Sequence, residues 1–364
     1  MSRTVDALFI TPEAPVRAVI QVLNETSHGI ALVVDGVGRL VETVTDGDVR
    51  RAVLGGTPLD APTAHLLEIK ARHFGPDARG PVTAPAGTDR AALGALMTER
   101  GVRQIPLVDA DGRATGLVTA ADLLGDVASG ASDPLRAVVM AGGFGTRLRP
   151  LTADIPKPML PVGDRPLLER TLERLRDADI HRVNISTHYL PEKITEHFGD
   201  GEGMGLDLQY MSEDEPLGTA GALSLMDPPE EPTIVMNGDI LTDINFRAML
   251  DFHREHSADL TVAVRQYDIQ VPYGVLECDG AEVRRLEEKP TSSFLVNAGI
   301  YLLDPSVHRR IPRGRRYDMT DLIDDLLADG CRVVSFPIVE YWLDIGQHAD
   351  YDRAQSDLER GVLR

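Results

Sequence analysis

The chain has 364 residues, 43% of them apolar, a formal net charge of −20 and two cysteines. That length holds two domains or more, each with a core of its own. No apolar run is long enough to cross a bilayer, no secretory leader is expected, and so acidic a chain is a poor partner for nucleic acid or an anionic membrane. Cys278 and Cys331 lack metal-ligand spacing and suit a reducing cytosol, so a cytoplasmic location is expected. An acidic body that binds anionic substrates needs local cations and a divalent ion such as Mg2+.

Residues 1 to about 128 contain an internal repeat. Val34-Asp35 is matched by Val108-Asp109, Thr45 by Thr119 and Asp48 by Asp122, each 74 residues apart, and the register holds from about Thr11. Each copy reads as helix, strand, turn, strand, helix. In the first copy the pattern predicts a helix over 15–25, strands over 30–34 and 40–45, and a last helix from near Asp46. Asp35-Gly36 and Asp111-Gly112 read as the turns between strands. Each copy is too small for its own core, so the two should pack together.

The segments GIALVVDGVGRLVETVTDGDVRRAVL and VRQIPLVDADGRATGLVTAADLL resemble CBS domains. They imply an α+β pair, a Bateman module, at 1–64 and 75–128. The resemblance implies that Thr45 and Thr119 face phosphate or ribose. Asp48 and Asp122 would accept from ribose hydroxyls of an adenine or guanine nucleotide. The same four residues also fit as plain helix caps. Glu42 stands where the second copy has Gly116, and its carboxylate would repel phosphate at the first site.

Residues 129–134 form a small, polar linker. From Leu135 onward strands and helices alternate, which predicts an α/β domain with a mainly parallel sheet over 135–364. Strands are expected at 136–141, 182–187, 206–210, 233–237, 260–265 and 296–302, and helices at 167–178, 191–198 and 219–225. A last helix, about 348–359, is polar enough for an exposed tail or a subunit contact. The arginine-rich run 309–316 reads as a solvated face.

The apolar strand ending at Ala141 breaks into Gly142, Gly143 and Gly145, followed by Thr146, Arg147, Arg149 and Lys157. Glycines there let backbone N–H groups approach an anion closely, and the cations can fold back over it. The string lacks GxGxxG and the GxxxxGK[ST] of P-loops. Asn237-Gly238-Asp239 follows another apolar strand, at the carboxyl end where an open α/β sheet binds ligands, and Asp239 is placed to hold Mg2+. Taken alone, NGD also reads as a turn. Glu213, five residues before Gly218, offers two oxygens to the two donors of guanine; it reads equally as an exposed acid in an acidic loop.

The string GGFGTRLRPLTADIPKPMLPVGDRPLLE resembles the signature of sugar-1-phosphate nucleotidylyltransferases, most closely the mannose-1-phosphate guanylyltransferase branch. Members with a CBS fusion resemble glucosamine-1-phosphate guanylyltransferases, and valienol-1-phosphate guanylyltransferases are a cyclitol-using relative. The resemblance implies a Rossmann-like nucleotidyltransferase domain with a mixed, mainly parallel sheet. It implies that Ala141, Gly142, Gly143, Gly145 and Thr146 bind the nucleotide, that Arg147 meets the β- and γ-phosphates, and that Lys157 meets the α-phosphate. Gly218 and Thr219, in PLGTAGAL, look like the nucleotide-side loop. Asp239 and Asp344 map to the two metal-binding aspartates. Glu288 and Lys289, in an E-K-P segment, and Asn297 and Gly299, in N-A-G, map to the sugar phosphate.

The implied reaction is transfer of GMP from GTP to a sugar or cyclitol 1-phosphate, by a homo-oligomer that binds neither nucleic acid nor membrane. A dTTP-, CTP- or UTP-using enzyme and an inactive nucleotide sensor are the alternatives. The phosphate nucleophile is largely a dianion at neutral pH, so positioning and charge neutralisation suffice.

Overall fold

The computed structural model describes residues 5–26, 28–74, 80–124 and 134–363. The linker, apart from Pro134, lies outside them. The chain divides into two compact units, Met1–Asp133 and Pro134–Arg364.

In the first unit the repeat is visible down to single hydrogen bonds. Phe9–Ile10 lies parallel to Ile30–Val34, which pairs antiparallel with Leu40–Thr45. Ala84–Pro85, Gln104–Val108 and Ala114–Thr119 repeat the arrangement. Asp35 Oδ1 accepts from the N–H groups of Val37 and Arg39, and Asp109 Oδ1 from those of Asp111 and Arg113. The left-handed residues are Gly38 (φ 83°) and Gly112 (φ 80°), so in the first copy Gly38 makes the turn, not Gly36. The aspartate holds each turn and the glycine three residues on absorbs the strained angle. Ile30 and Leu32 pack with Ala114 and Leu117, so the copies share a core.

The second unit is a seven-stranded sheet. Its spatial order is Asp207–Ser212, Arg182–Thr187, Arg136–Met140, Thr233–Asn237, Thr291–Leu303, Leu260–Gln270 and Val333–Pro337. Only Thr291–Leu303 runs against the rest. The central strands are near-continuous apolar runs because both faces are covered. The helix Leu167–Asp177 buries Leu167, Leu168, Thr171, Leu172 and Leu175, a one-sided 3.6-residue spacing. Each fully buried leucine there stabilises the fold by about 1.5–3 kcal/mol.

Three expectations need correction. The strands at 260–265 and 296–302 are much longer, Leu260–Gln270 and Thr291–Leu303. Their outer halves are exposed on both faces; Gln266–Gln270 alternates polar and apolar residues, but Thr291–Ser293 is wholly polar and carries no strand signal. Gly274–Asp279 and Glu282–Glu288 form a further hairpin beyond them. The segment at 219–225 is one α-turn, Gly218–Gly221, running into a 3-10 turn, Ala222–Leu225. The last helix, His348–Glu359, is no exposed tail. Ala354 is fully buried, Gln355 bonds both the Pro161 carbonyl and the Gly163 N–H (2.8 Å each), and the Tyr341 hydroxyl donates to Asp357.

Candidate active site

The site lies at the carboxyl ends of Arg136–Met140 and Thr233–Asn237, neighbours in parallel register. Gly238 locks the two ends together. Its N–H donates to the Met140 carbonyl (2.8 Å), and a Cβ there would come within 2.8 Å of that same oxygen. Only glycine lets the strands end this close, and the junction delivers Asp239 beside the glycine turn.

In that turn Gly145 has φ 60° and is wedged against Thr152 and Lys157; a Cβ would meet them at 3.0 and 3.1 Å. Thr152 Oγ1 donates to the Gly145 carbonyl (2.8 Å). Lys157 opens a short 3-10 turn, is buried, and its Nζ reaches Asp239 Oδ2 at 2.5 Å. Asp239 immediately precedes the strand Ile240–Thr242, which pairs antiparallel with Trp342–Asp344: Ile240 is opposite Asp344, and the Ile345 N–H donates to the Asp239 carbonyl (3.0 Å). Arg147 closes the group, its guanidinium lying with the Asp344 carboxylate around Gly346.

Burial and, after it, the Asp239 charge push the Asp344 carboxyl above its ordinary value, while Lys157 and Arg147 pull it back. Asp239 Oδ1 is buried and has no hydrogen-bond partner. Asp344 is itself exposed at the surface, and an orphaned carboxylate oxygen on Asp239 next to this second, like-charged carboxylate fits a hard divalent cation, which would satisfy the one and relieve the repulsion between the two. No group of three or more acidic, histidine or cysteine side chains suited to a metal occurs among the described residues. Two carboxylates with substrate oxygens and water are the set Mg2+ favours.

Glu213 is neither exposed nor free. It is buried, its Oε1 accepts from the Ser186 hydroxyl, its Oε2 accepts from the Leu217 N–H (2.9 Å), and its own carbonyl meets His188 Nδ1 (2.7 Å). A Cβ on Gly142 would touch Glu213 Oε1 at 3.1 Å, so this carboxylate underlies the glycine turn and ties it to the loop at Gly218. Gly218 (φ 81°) abuts Asp318 and Tyr317. Thr219 donates its N–H to Asp318 Oδ1 (3.2 Å) and accepts from the Met319 N–H (2.9 Å). Gly299 (φ 69°) packs on the Asn237 side chain, and Asn297 spans Gly299 N–H and the Tyr301 hydroxyl (2.9 Å each).

The fold thus gathers Arg147, Lys157, Asp239, Asp344 and the glycine turn, with Glu213 against Gly142 and Gly299 against Asn237; Gly218 and Thr219 follow Leu217, which Glu213 holds, and Asn297 accepts from the Gly299 N–H. It does not bring in Glu288 and Lys289, which are exposed on the outer hairpin and its turn. Ser186, His188 and Asp318 are positioning residues that sequence reading passed over. Of these only Asp318 carried a local signal, that of a helix cap.

In the first unit Thr45 and Asp48 cap the helix Asp46–Leu54 reciprocally. Asp48 is buried against Arg51 (2.7 Å), and Lys70 Nζ binds the Thr43 carbonyl (2.7 Å) and Glu42 (3.3 Å). The repulsive carboxylate expected at Glu42 therefore has a resident cation. Thr119 and Asp122 form the same reciprocal bonds (2.8–3.2 Å) in an exposed setting.

A site assembled from charge at the strand ends of a mainly parallel sheet, with glycines where an anion must approach, is that of a phosphate-handling α/β enzyme. The chain belongs to the nucleotidyl transferase family, whose model matches residues 136–361, and carries two CBS domains matched at 1–55 and 77–129. It is 36% identical over 241 residues to a mannose-1-phosphate guanylyltransferase of Mycobacterium tuberculosis, covering 64% of this chain and 67% of the relative. It is 33% identical over 226 residues to the mannose-1-phosphate guanylyltransferase catalytic subunit beta of Danio rerio, covering 60% and 62%. A solved structure from Bacillus anthracis, designated a candidate glucose-1-phosphate thymidylyltransferase in complex with a sucrose, is similar at 26% identity and a TM-score of 0.50, over 61% of this chain and 94% of that one. The chain spans roughly two thirds of the length of the curated relatives it matches.

Proposed function

We propose that the protein transfers GMP from GTP to a sugar or sugar-like cyclitol 1-phosphate, releasing pyrophosphate. The observation that carries this is the convergence of Lys157, Arg147, Asp239 and Asp344 beside the glycine turn. A phosphate oxygen of the sugar ester attacks the α-phosphorus, and the bond from that phosphorus to the oxygen bridging to the β-phosphate breaks. Lys157 neutralises charge at the α-phosphate, and Arg147 holds the β- and γ-phosphates. The glycine turn supplies N–H donors, and Asn297 orients a sugar hydroxyl. Asp239 and Asp344 hold Mg2+, which supplies charge neutralisation across the phosphates. The two relatives named for guanylyl transfer favour guanine as the base.

The test is pyrophosphate release from GTP, dTTP, CTP and UTP against a panel of sugar phosphates, with products weighed by mass spectrometry. A GDP-sugar is expected. Release from another nucleotide alone would reassign the base, and no turnover with any would leave a nucleotide sensor. The CBS pair binds an adenine or guanine nucleotide at Thr119 and Asp122, since Lys70 closes the equivalent place in the first copy.

A further inference from the structure

The last helix, His348–Glu359, carries an inference about how the charged residues of the site are held in register. It rests on the reading of Arg147, Lys157, Asp239 and Asp344 as the phosphate and metal group. Each of the four is joined in sequence to a buried member of one small apolar cluster. Leu148 follows Arg147, Leu160 lies after Lys157, Leu241 after Asp239, and Leu343 and Ile345 flank Asp344. This cluster shares no residue with the large one around Val138 and Val235. The last helix covers it, with Ala354 fully buried and Tyr351 and Leu358 packed against it.

Two polar side chains of the helix reach the short hairpin of Pro161–Val162 and Arg165–Pro166, just after the Lys157 turn. Pro161 is opposite Pro166, and neither has an N–H to offer the ladder. The helix supplies donors instead. The Tyr351 hydroxyl (2.5 Å) and Gln355 Nε2 (2.8 Å) both donate to the Pro161 carbonyl, and Gln355 Oε1 accepts from the Gly163 N–H (2.8 Å). Gly163 (φ 66°) has no side chain because Leu358 fills the place of its Cβ. The same helix starts just beyond Asp344, where the Gln347 N–H donates to Asp350 Oδ2 (2.8 Å). Near its far end Asp357 accepts from the Tyr341 hydroxyl (3.0 Å), at the approach to the Asp344 strand.

One rigid element is thus tied to the segment bearing Lys157 and to the segment bearing Asp344. We propose that Tyr351 and Gln355 are positioning residues for Lys157: by docking on the Pro161 carbonyl they fix the reach of its ammonium group to Asp239 and to the α-phosphate. Misplacement by about 1 Å can cost a charged group most of its effect on a transition state. Lys157 acts where charge develops, so the loss falls on kcat. The glycine turn and the loop at Gly218 take their hold from Glu213 and Asp318, and they keep the nucleotide bound.

The test has two readouts on the full chain. Tyr351→Phe and Gln355→Ala should each lower kcat about threefold, because one donor to Pro161 remains; together they should lower it about thirtyfold, more than the product, with KM for GTP within about twofold. The second readout needs no turnover. Acetic anhydride labels lysines, and mass spectrometry follows each site. Lys157 is buried and Lys193 exposed, so the double variant should speed labelling of Lys157 about fivefold relative to Lys193. Ile194→Val, a cavity elsewhere in the unit, should lower the thermal midpoint but leave kcat and Lys157 labelling alone. If the double variant does not fold, the single variants carry both readouts. Wild-type kcat with unchanged labelling, or losses no larger than those of Ile194→Val, overturns the proposal. A wild type without turnover rejects the functional reading instead, and the labelling rate then decides the clamp by itself.

Discussion

Lys157 and Asp239 show how single residues divide the work. Their 2.5 Å pair leaves the other oxygen of Asp239 buried and unbonded, next to a second carboxylate. Asp344→Asn removes a like charge from that pair, so in the absence of metal it should raise the thermal midpoint while lowering kcat/KM by about 10²–10³, a size ordinary for loss of charge stabilisation. Scanning fluorimetry in EDTA beside a pyrophosphate assay reads both. A midpoint that drops with activity would make Asp344 a folding residue. Asp239→Asn should lose activity equally but gain less, because it strands Lys157. Glu213 poses a different question, since both its oxygens already hold protein donors. Glu213→Gln should cut the preference for GTP over UTP about tenfold; equal losses for both would confine Glu213 to holding the turn against the loop.

Elements supply the conditions under which those residues act. The sheet is flanked by two buried histidines. His253 bonds Thr261 Oγ1 (2.8 Å), and His308 meets the Leu223 carbonyl through Nε2 (2.9 Å). Burial, the leading cause for each, pushes both imidazoles below their ordinary value. The charged form is therefore disfavoured in the native state. Stability from these groups is complete above about pH 6.5 and is lost as pH falls through that value toward their depressed ones. Thermal midpoints measured from pH 7.5 to 5 should fall by a few degrees, and His308→Gln, which keeps a donor for Leu223, should flatten the slope. Parallel curves would remove His308 from the account. Most elements were legible because helical spacing marks a helix with one buried face, as in Pro191–Phe198, and a short apolar run marks a strand covered on both, as in Arg136–Met140. The ribbon formed by the outer halves of Leu260–Gln270 and Thr291–Leu303 was read only in part: Gln266–Gln270 alternates polar and apolar residues, but Thr291–Ser293 on the facing strand is wholly polar and gives no period.

At the scale of the whole molecule, one chain joins a nucleotidyl transferase unit to a CBS pair. A nucleotide on the CBS pair can alter transfer only by favouring one of two states. Adding adenine or guanine nucleotides should raise the midpoint of the wild type, and Asp122→Ala should abolish the rise, whereas Asp48→Asn should leave it. An equal response from both variants would count against a site confined to the second copy. What the order of residues decided unaided was chemical: a repeat of fixed spacing, glycines before cations, and aspartates after apolar strands, since these depend on local backbone freedom and charge. Proximity was decided only by the tertiary structure. Asp239 and Asp344 lie more than a hundred residues apart and meet because two short strands pair, and Glu213 turned inward because Ser186 and Leu217 offered it donors. Contact between distant positions is set by the summed packing of the sheet, which no short stretch of sequence contains.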